Sequence, residues 1–172
     1  MTGIKMGDRL LYIGCTDPSL LAAIASKAGL SGCACAVVPS EADAARARRG
    51  AEDGGILLEL ETCRDLSPFP FEDGSFDLIV IDNQGGLISN VRPEQRVAWL
   101  QQAHRVLAPR GRLVLMERGQ RAGLGALIRS GPPIDPHYQA SGGAITAMKA
   151  EGFKAVRQLA ERDGMSFFEG VR

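Results

Sequence analysis

Few residues in this chain have the type and setting to do chemistry. The two histidines, His104 and His137, lie far apart, and the four cysteines, Cys15, Cys33, Cys35 and Cys63, show no C-x-x-C spacing. That pattern argues against a zinc site and reads as four reduced thiols in a cytoplasmic protein. Cys33 and Cys35 are two apart in an apolar run, so on a strand they share a face and cannot form a strain-free disulfide with each other. Asp82-Asn83-Gln84 is a compact polar group directly after the apolar run Phe76 to Ile81, and His137-Tyr138 lies in a Gly- and Pro-rich stretch. A carboxylate or imidazole so placed can act as a general base. Asp82 reads equally well as polar capping of a strand end, and His137 as an exposed loop residue.

The elements that would position these residues alternate in type. Apolar runs predict strands at Arg9 to Gly14, Cys33 to Val38, Ile56 to Leu60, Phe76 to Asp82 and Arg112 to Glu117. Asp17-Pro18 offers an N-cap with Pro at the first helical position, and Gly29 a stop. Ser40 caps a helix over Glu41 to Arg49, in which Arg46, Arg48 and Arg49 read as a solvated charged face. Pro93 opens a helix with the stripe Val97, Leu100, His104 and Leu107, stopped by Pro109 and Gly111; this stripe makes His104 a core or half-buried residue. Ser67 to Ser75 is a turn-rich connection. Gly119 to Gly143 is loop-like, with room for a short helix at Leu124 to Arg129. A helix at Ala144 to Glu151 precedes strands at Phe153 to Glu161 and Met165 to Val171, joined at Asp163-Gly164.

Strand–helix alternation of this kind predicts an α/β fold, a doubly wound and mostly parallel sheet with an antiparallel hairpin at its C-terminal end. The 172 residues suit one domain spanning 1–172. Twenty Lys+Arg balance 20 Asp+Glu, and zero net charge argues against nucleic acid or an anionic membrane as partner. No apolar run approaches the length of a membrane span. In an open parallel sheet, ligands bind beyond the carboxyl ends of the strands. The positions to inspect are therefore Gly14 to Ser19, Val38 to Glu41, Glu61 to Asp65, Asp82 to Gly86 and Glu117 to Gly119.

Three segments carry a resemblance. Asp65 to Val80 (DLSPFPFEDGSFDLIV) follows the pattern D-L-P-F-x-D-x-S-F-D-x-V with two extra residues. Leu107 to Leu115 (LAPRGRLVL) follows L-K-P-G-G-x-L-V-L, and Gly152-Phe153 precedes a terminal hairpin. Over nearly its whole length the chain resembles the class I S-adenosylmethionine-dependent methyltransferases of the small-molecule, type 11 branch. The resemblance implies a Rossmann-like seven-stranded sheet, S-adenosylmethionine as cofactor and a small-molecule methyl acceptor.

It also implies three cofactor anchors, and each departs here. In the first, the V-L-D-x-G-C-G-x-G stretch, Gly14 and Cys15 match, while Tyr12 replaces the acid and Thr16 and Pro18 replace the second and third glycines. In the second, the ribose-binding acid at the end of strand two becomes Val38, followed by Pro39. In the third, Thr62 stands where a polar residue takes the adenine amine, with Glu61 beside it. Asp17 or Glu41 could substitute from a shifted backbone, Cys15, Cys63 and Arg64 could add main-chain contacts, and Asp82 and Asn83 would face the methionine end and the acceptor. Asp17 and Glu41 read otherwise as a helix cap and a solvated first-turn acid. Asp82, His137 and Tyr138 are the candidate catalytic residues. Strand one starts near Arg9, so the helices that close over the cofactor in the family are missing from the front of the chain. An active version would then need its open cleft covered by a homo-oligomer or protein partner, or by the Gly119 to Gly143 loop. Three readings stay open: a methyltransferase with a divergent cofactor site, an inactive methyltransferase fold serving as a binding or self-association module, and a binding module that uses the same cleft for another small ligand.

Overall fold

The computed structural model describes residues 2–64, 68–118 and 133–172. The short helix expected at Leu124 to Arg129, most of the expected loop from Gly119, and Asp65 lie outside them. Seven strands form one sheet in the order β3-β2-β1-β4-β5-β7-β6. They are β1 (Arg9–Ile13), β2 (Cys33–Val38), β3 (Glu59–Thr62), β4 (Phe76–Asp82), β5 (Leu107–Arg118), β6 (Lys154–Arg162) and β7 (Met165–Val171). The first five pair in parallel, and β7 runs antiparallel to both β5 and β6. The hairpin therefore inserts its second strand next to β5 and leaves β6 at the edge.

Strand alternation sends successive side chains to two apolar layers. Leu10, Tyr12, Ala36 and Val38 pack under α1 (Pro18–Ala25) and α2 (Glu41–Gly54). Leu11, Ile13, Val37 and Ile81 pack under α3 (Pro93–Val106), α4 (Pro136–Ala140) and α5 (Gly143–Ala150). The caps form as the sequence predicts: Asp17 Oδ1 accepts from the N–H groups of Ser19 (2.9 Å) and Leu20 (3.1 Å), and Ser40 Oγ from that of Asp43 (3.2 Å). The two helices approach so closely that a Cβ on Gly50 would lie 2.5 Å from the carbonyl oxygen of Pro18.

Three boundaries and one helix face differ from expectation. The helix α2 runs on to Gly54, because its buried face consists of Ala44, Ala47, Gly50 and Ala51, small residues with little apolar periodicity. That displaces β3 to Glu59–Thr62, where it pairs Cys35 with Glu59 and Val38 with Thr62. Pro109 and Gly111 do not end an element but lie in a bulge of β5, where Leu107 pairs with Phe76 and Arg112 with Leu78. The buried face of α3 is Trp99, Leu100, Ala103 and Val106, while the expected Val97 is exposed. His104 is half-buried, its ring meeting Phe153 edge-on at 5.1 Å. Burial, with Arg172 and Lys154 adding to it, lowers its pKa. No helix among the described residues is long and apolar enough to cross a membrane. None of their His, Cys, Asp and Glu side chains form a group of three or more that could hold a metal ion.

Candidate functional site

Register brings the carboxyl ends of the parallel strands into one line. Ile13 lies beside Val37 and Ile81, Val38 beside Thr62, and Asp82 beside Met116. The order of strands reverses between β1 and β4, so the loops that follow them flank the switch point at which open parallel sheets commonly bind ligands.

At the β1 side, Gly14 has a φ of 84°, and a Cβ there would lie 2.9 Å from Leu87 Cδ2 and 3.2 Å from the carbonyl oxygen of Asp82. Only glycine fits, because the loop after β4 presses on the loop after β1. Its N–H is taken by the Val37 carbonyl at 2.9 Å. Cys15 is buried, and burial together with nearby Asp82 pushes its thiol up to about 11, so it is protonated at neutral pH. The Cys15 carbonyl accepts from Arg46 Nε at 3.1 Å, and the same guanidinium pairs with Asp43. Arg46 is therefore a tie between α2 and the β1 loop, not part of a solvated charged face. Thr16 is exposed, while Asp17 spends Oδ1 on the helix cap.

Val38 has no exposed surface and packs in the cluster that holds Tyr12, Ala44 and Ala47. Pro39 is half-buried beyond it, and Glu41 is exposed in the first turn of α2. Thr62 and Arg64 are exposed, and the Cys63 N–H donates to the Val38 carbonyl at 2.9 Å. Tyr12 is fully buried; burial drives its pKa far up, and its hydroxyl makes a long contact of 3.5 Å to Asp82 Oδ2.

The β4 and β5 side is polar and buried. Asp82 is 1% exposed. Its Oδ2 accepts from the Thr16 N–H at 2.7 Å and its Oδ1 from the Gln84 N–H at 3.1 Å. Asn83 Oδ1 accepts from the N–H groups of Ile88 (2.6 Å) and Ser89 (3.1 Å), and its Nδ2 donates to Glu117 Oε2 at 3.0 Å. The same Glu117 oxygen accepts from the Tyr138 hydroxyl at 3.2 Å. Burial raises the Glu117 pKa, and the two donors oppose that rise. Arg96 lies over the Tyr138 ring at 4.5 Å and donates through Nε to the Ile88 carbonyl at 3.0 Å. Gln84 Nε2 and Ser89 Oγ are buried with no hydrogen-bond partner among the described residues.

The structure thus gathers Gly14, Cys15, Thr16, Asp17, Val38, Pro39, Thr62, Cys63, Arg64, Asp82 and Asn83 at one edge of the sheet. Of the catalytic candidates, Asp82 and Tyr138 are buried and bonded within the protein, whereas His137 is exposed on α4. Glu117, Arg46 and Arg96 carry no role in the sequence reading. Glu117 stands at a strand end, which the sheet rule already marks for inspection. Nothing in the charged helices singles out the two arginines, whose bonds depend on distant loops.

The family described as "Methyltransferase domain" matches residues 10–111. No curated protein sequence matches the chain. Among solved structures, the chain is similar to a SAM-dependent methyltransferase from Aquifex aeolicus, with a TM-score of 0.72 and 18% identity over 99% of this chain and 84% of that one. It is also similar to a putative O-methyltransferase from Nostoc punctiforme, with a TM-score of 0.75 and 12% identity over 98% of this chain and 53% of that one. The protein PigF, solved with SAH, is similar at a TM-score of 0.67 and 18% identity, and the chain spans 50% of its length. At these identities the structures speak for a shared fold, while the match over residues 10–111 carries the ancestry: the chain belongs to the methyltransferase domain family.

Proposed function

We propose that this chain is a methyltransferase-fold protein that has given up S-adenosylmethionine and serves as a binding or self-association module. The observation that supports it is Asp82. This acid stands at the strand-order reversal, where it could meet a ligand, yet both of its oxygens accept from backbone N–H groups of Thr16 and Gln84. Other groups at the β1 edge are engaged in the same way: Asp17 Oδ1 in the helix cap and the Cys15 carbonyl by Arg46.

The donor set does not fit the cofactor as the family's carboxylate anchors would hold it. Two ribose hydroxyls need acceptors, and Val38 offers none and has no exposed surface. Each hydrogen bond left unmade forgoes about 0.5–1.5 kcal/mol. Lost anchors at Tyr12, Val38 and Thr62 together amount to about 3 kcal/mol, roughly a hundredfold in affinity.

A second reading is methyl transfer to a small molecule from a divergent site. It is favoured by the glycine-only conformation of Gly14, which keeps the loop after β1 in close backbone approach, and by the exposed polar side chains of Thr16 after β1 and of Thr62 and Arg64 at the end of β3. Titration calorimetry with S-adenosylmethionine and S-adenosylhomocysteine separates the two. The module reading expects no saturable heat with either compound. A dissociation constant in the low micromolar range, about −8 kcal/mol of binding, overturns it in favour of the enzyme.

A further inference from the structure

The opposite end of the sheet carries a different feature. Between the C-terminal ends of α1 and α2 and the amino ends of β2 and β3 lies a groove of about 570 Å³, walled by Ala25, Ala28, Leu30, Ile56, Leu57 and Leu58. Leu30 is 101% exposed and Leu57 89%. Met6, 81% exposed, lies over Gly29 at the rim, since a Cβ on that glycine would come 3.1 Å from Met6 Cγ. Three of the four large apolar side chains most exposed among the described residues thus meet at one groove, the fourth being Val97. Single exposed leucines are ordinary, but a contiguous apolar patch around a cavity marks an interaction surface.

The rim is charged, and the signs are divided. Lys27 stands exposed on the α1 side, in the turn Ser26–Ala28 whose Ser26 and Ala28 line the groove. Exposed Glu52 and Asp53 end α2 on the other side, next to the lining residues Gly54 and Gly55. None of these three charges forms an ion pair among the described residues. Glu59, also lining the groove, accepts from the Cys35 thiol at 3.3 Å.

A two-fold contact places the same patch on both partners, so the patch must complement itself. This one does. It holds projecting leucines and a cavity to receive them, and a basic rim across from an acidic one, which a two-fold rotation brings face to face. We infer that the groove is the interface of a homodimer, in which Leu30 and Leu57 of each copy enter the groove of the other and Lys27 faces the partner's acidic rim. It lies at the far end of the sheet from the loops after β1 and β4, so such a dimer does not cover those loops. This differs from an oligomer that would cover the cofactor cleft. The cofactor titration and the dimer assay also fail separately.

Sedimentation equilibrium of the whole chain tests the inference. A reversible dimer is expected at protein concentrations up to about 100 µM, dissociating further at high salt as exposed ion pairs are screened. Leu30→Ser with Leu57→Ser is expected to raise the dissociation constant about a hundredfold. Both side chains are exposed in the single chain, so the circular dichroism spectrum and the melting temperature of the isolated protein should hold. Lys27→Glu alone is expected to weaken the dimer, and Lys27→Glu combined with Glu52→Lys and Asp53→Lys to restore it. A chain that stays monomeric throughout overturns the inference, as does a dimer indifferent to both the leucine and the charge variants. Saturable binding of a small apolar fluorophore by a chain that remains monomeric overturns it too, and makes the groove a ligand site.

Discussion

At the ends of β1 and β2 the inward side chains are Tyr12, Cys15 and Val38, all buried and mostly apolar; at the ends of β4 and β5 they are Asp82, Asn83 and Glu117, all buried and all polar. The two halves of one crevice have been built on opposite terms. The first is closed by packing, with Val38 and Tyr12 set among alanines of α2. The second is closed by hydrogen bonds, with Asp82 holding the β1 loop and Glu117 holding Asn83 and α4. Buried polar groups in a crevice are often taken as machinery awaiting a ligand. For Asp82, Asn83 and Glu117 the partners belong to the protein itself, and their bonds tie the loops after β1 and β4 and the helix α4 to the strand ends.

The sharpest way to break that contrast is to put a charge into the apolar half. Val38→Asp restores the acid of the family's ribose anchor in name. If Val38 faced an open cleft, the variant would fold normally and bind S-adenosylmethionine more tightly. Because its side chain has no exposed surface, an aspartate there is an unpaired buried charge, and we expect a loss of about 3–5 kcal/mol in urea unfolding with no gain in binding. A stable Val38→Asp variant that binds the cofactor would show that the β1 half opens as readily as the family's.

The converse change removes a charge from the polar half. Glu117→Ala leaves Asn83 Nδ2 and the Tyr138 hydroxyl without their acceptor. The expected cost is about 2–3 kcal/mol, less than for Val38→Asp because the change also relieves a buried carboxylate. Glu117→Gln keeps an acceptor oxygen and should cost about 1 kcal/mol. The pair also differ from wild type in pH dependence. Burial holds the Glu117 pKa above its unfolded value, so the folded state keeps a proton that the unfolded chain releases. This group therefore favours folding most below the unfolded value, and that contribution is lost as pH rises through the folded one. Wild type should gain on Glu117→Gln as pH falls across that window. A difference that stays flat would mean that the carboxyl is solvated and the node open.

Much of the frame could be read from residue patterns because it rests on local rules. The strands β1, β2, β4 and β7 are apolar runs, and Asp17 and Ser40 announce their helices. The elements misplaced are those whose shape comes from elsewhere. The strand β3 is an edge with exposed Glu59 and Glu61, and α2 buries only Ala and Gly. The start of β5 is a bulge whose Pro109 and Gly111 imitate a stop. The line of strand ends that gathers these residues was legible, since it follows from the order of the parallel strands. The direction in which its carboxylates point was not. Asp82 meets Thr16 across 66 positions and Glu117 meets Asn83 across 34, and no local pattern encodes such pairs. The anchors changed at Tyr12 and Val38 were visible as substitutions, but only the structure shows that both side chains are buried in the apolar layer under α1 and α2.

The smallest expected effect tests where the two halves join. Arg46 is 41% exposed at its side chain and ties α2 to the Cys15 carbonyl, while Asp43 holds its guanidinium. A partly exposed ion pair contributes little, so Arg46→Ala should cost about 0.5 kcal/mol, with Arg46→Lys intermediate because a lysine cannot serve the carbonyl and the carboxylate in the same fork geometry. Hydrogen exchange at the Cys15 and Thr16 amides reads the local consequence. The Thr16 N–H is already held by Asp82 at 2.7 Å, so if the polar half fixes the β1 loop, its protection should survive the loss of Arg46 and fall in Asp82→Ala. The reverse order would place the loop under the control of α2, and with it the apolar half would become the side that sets the crevice.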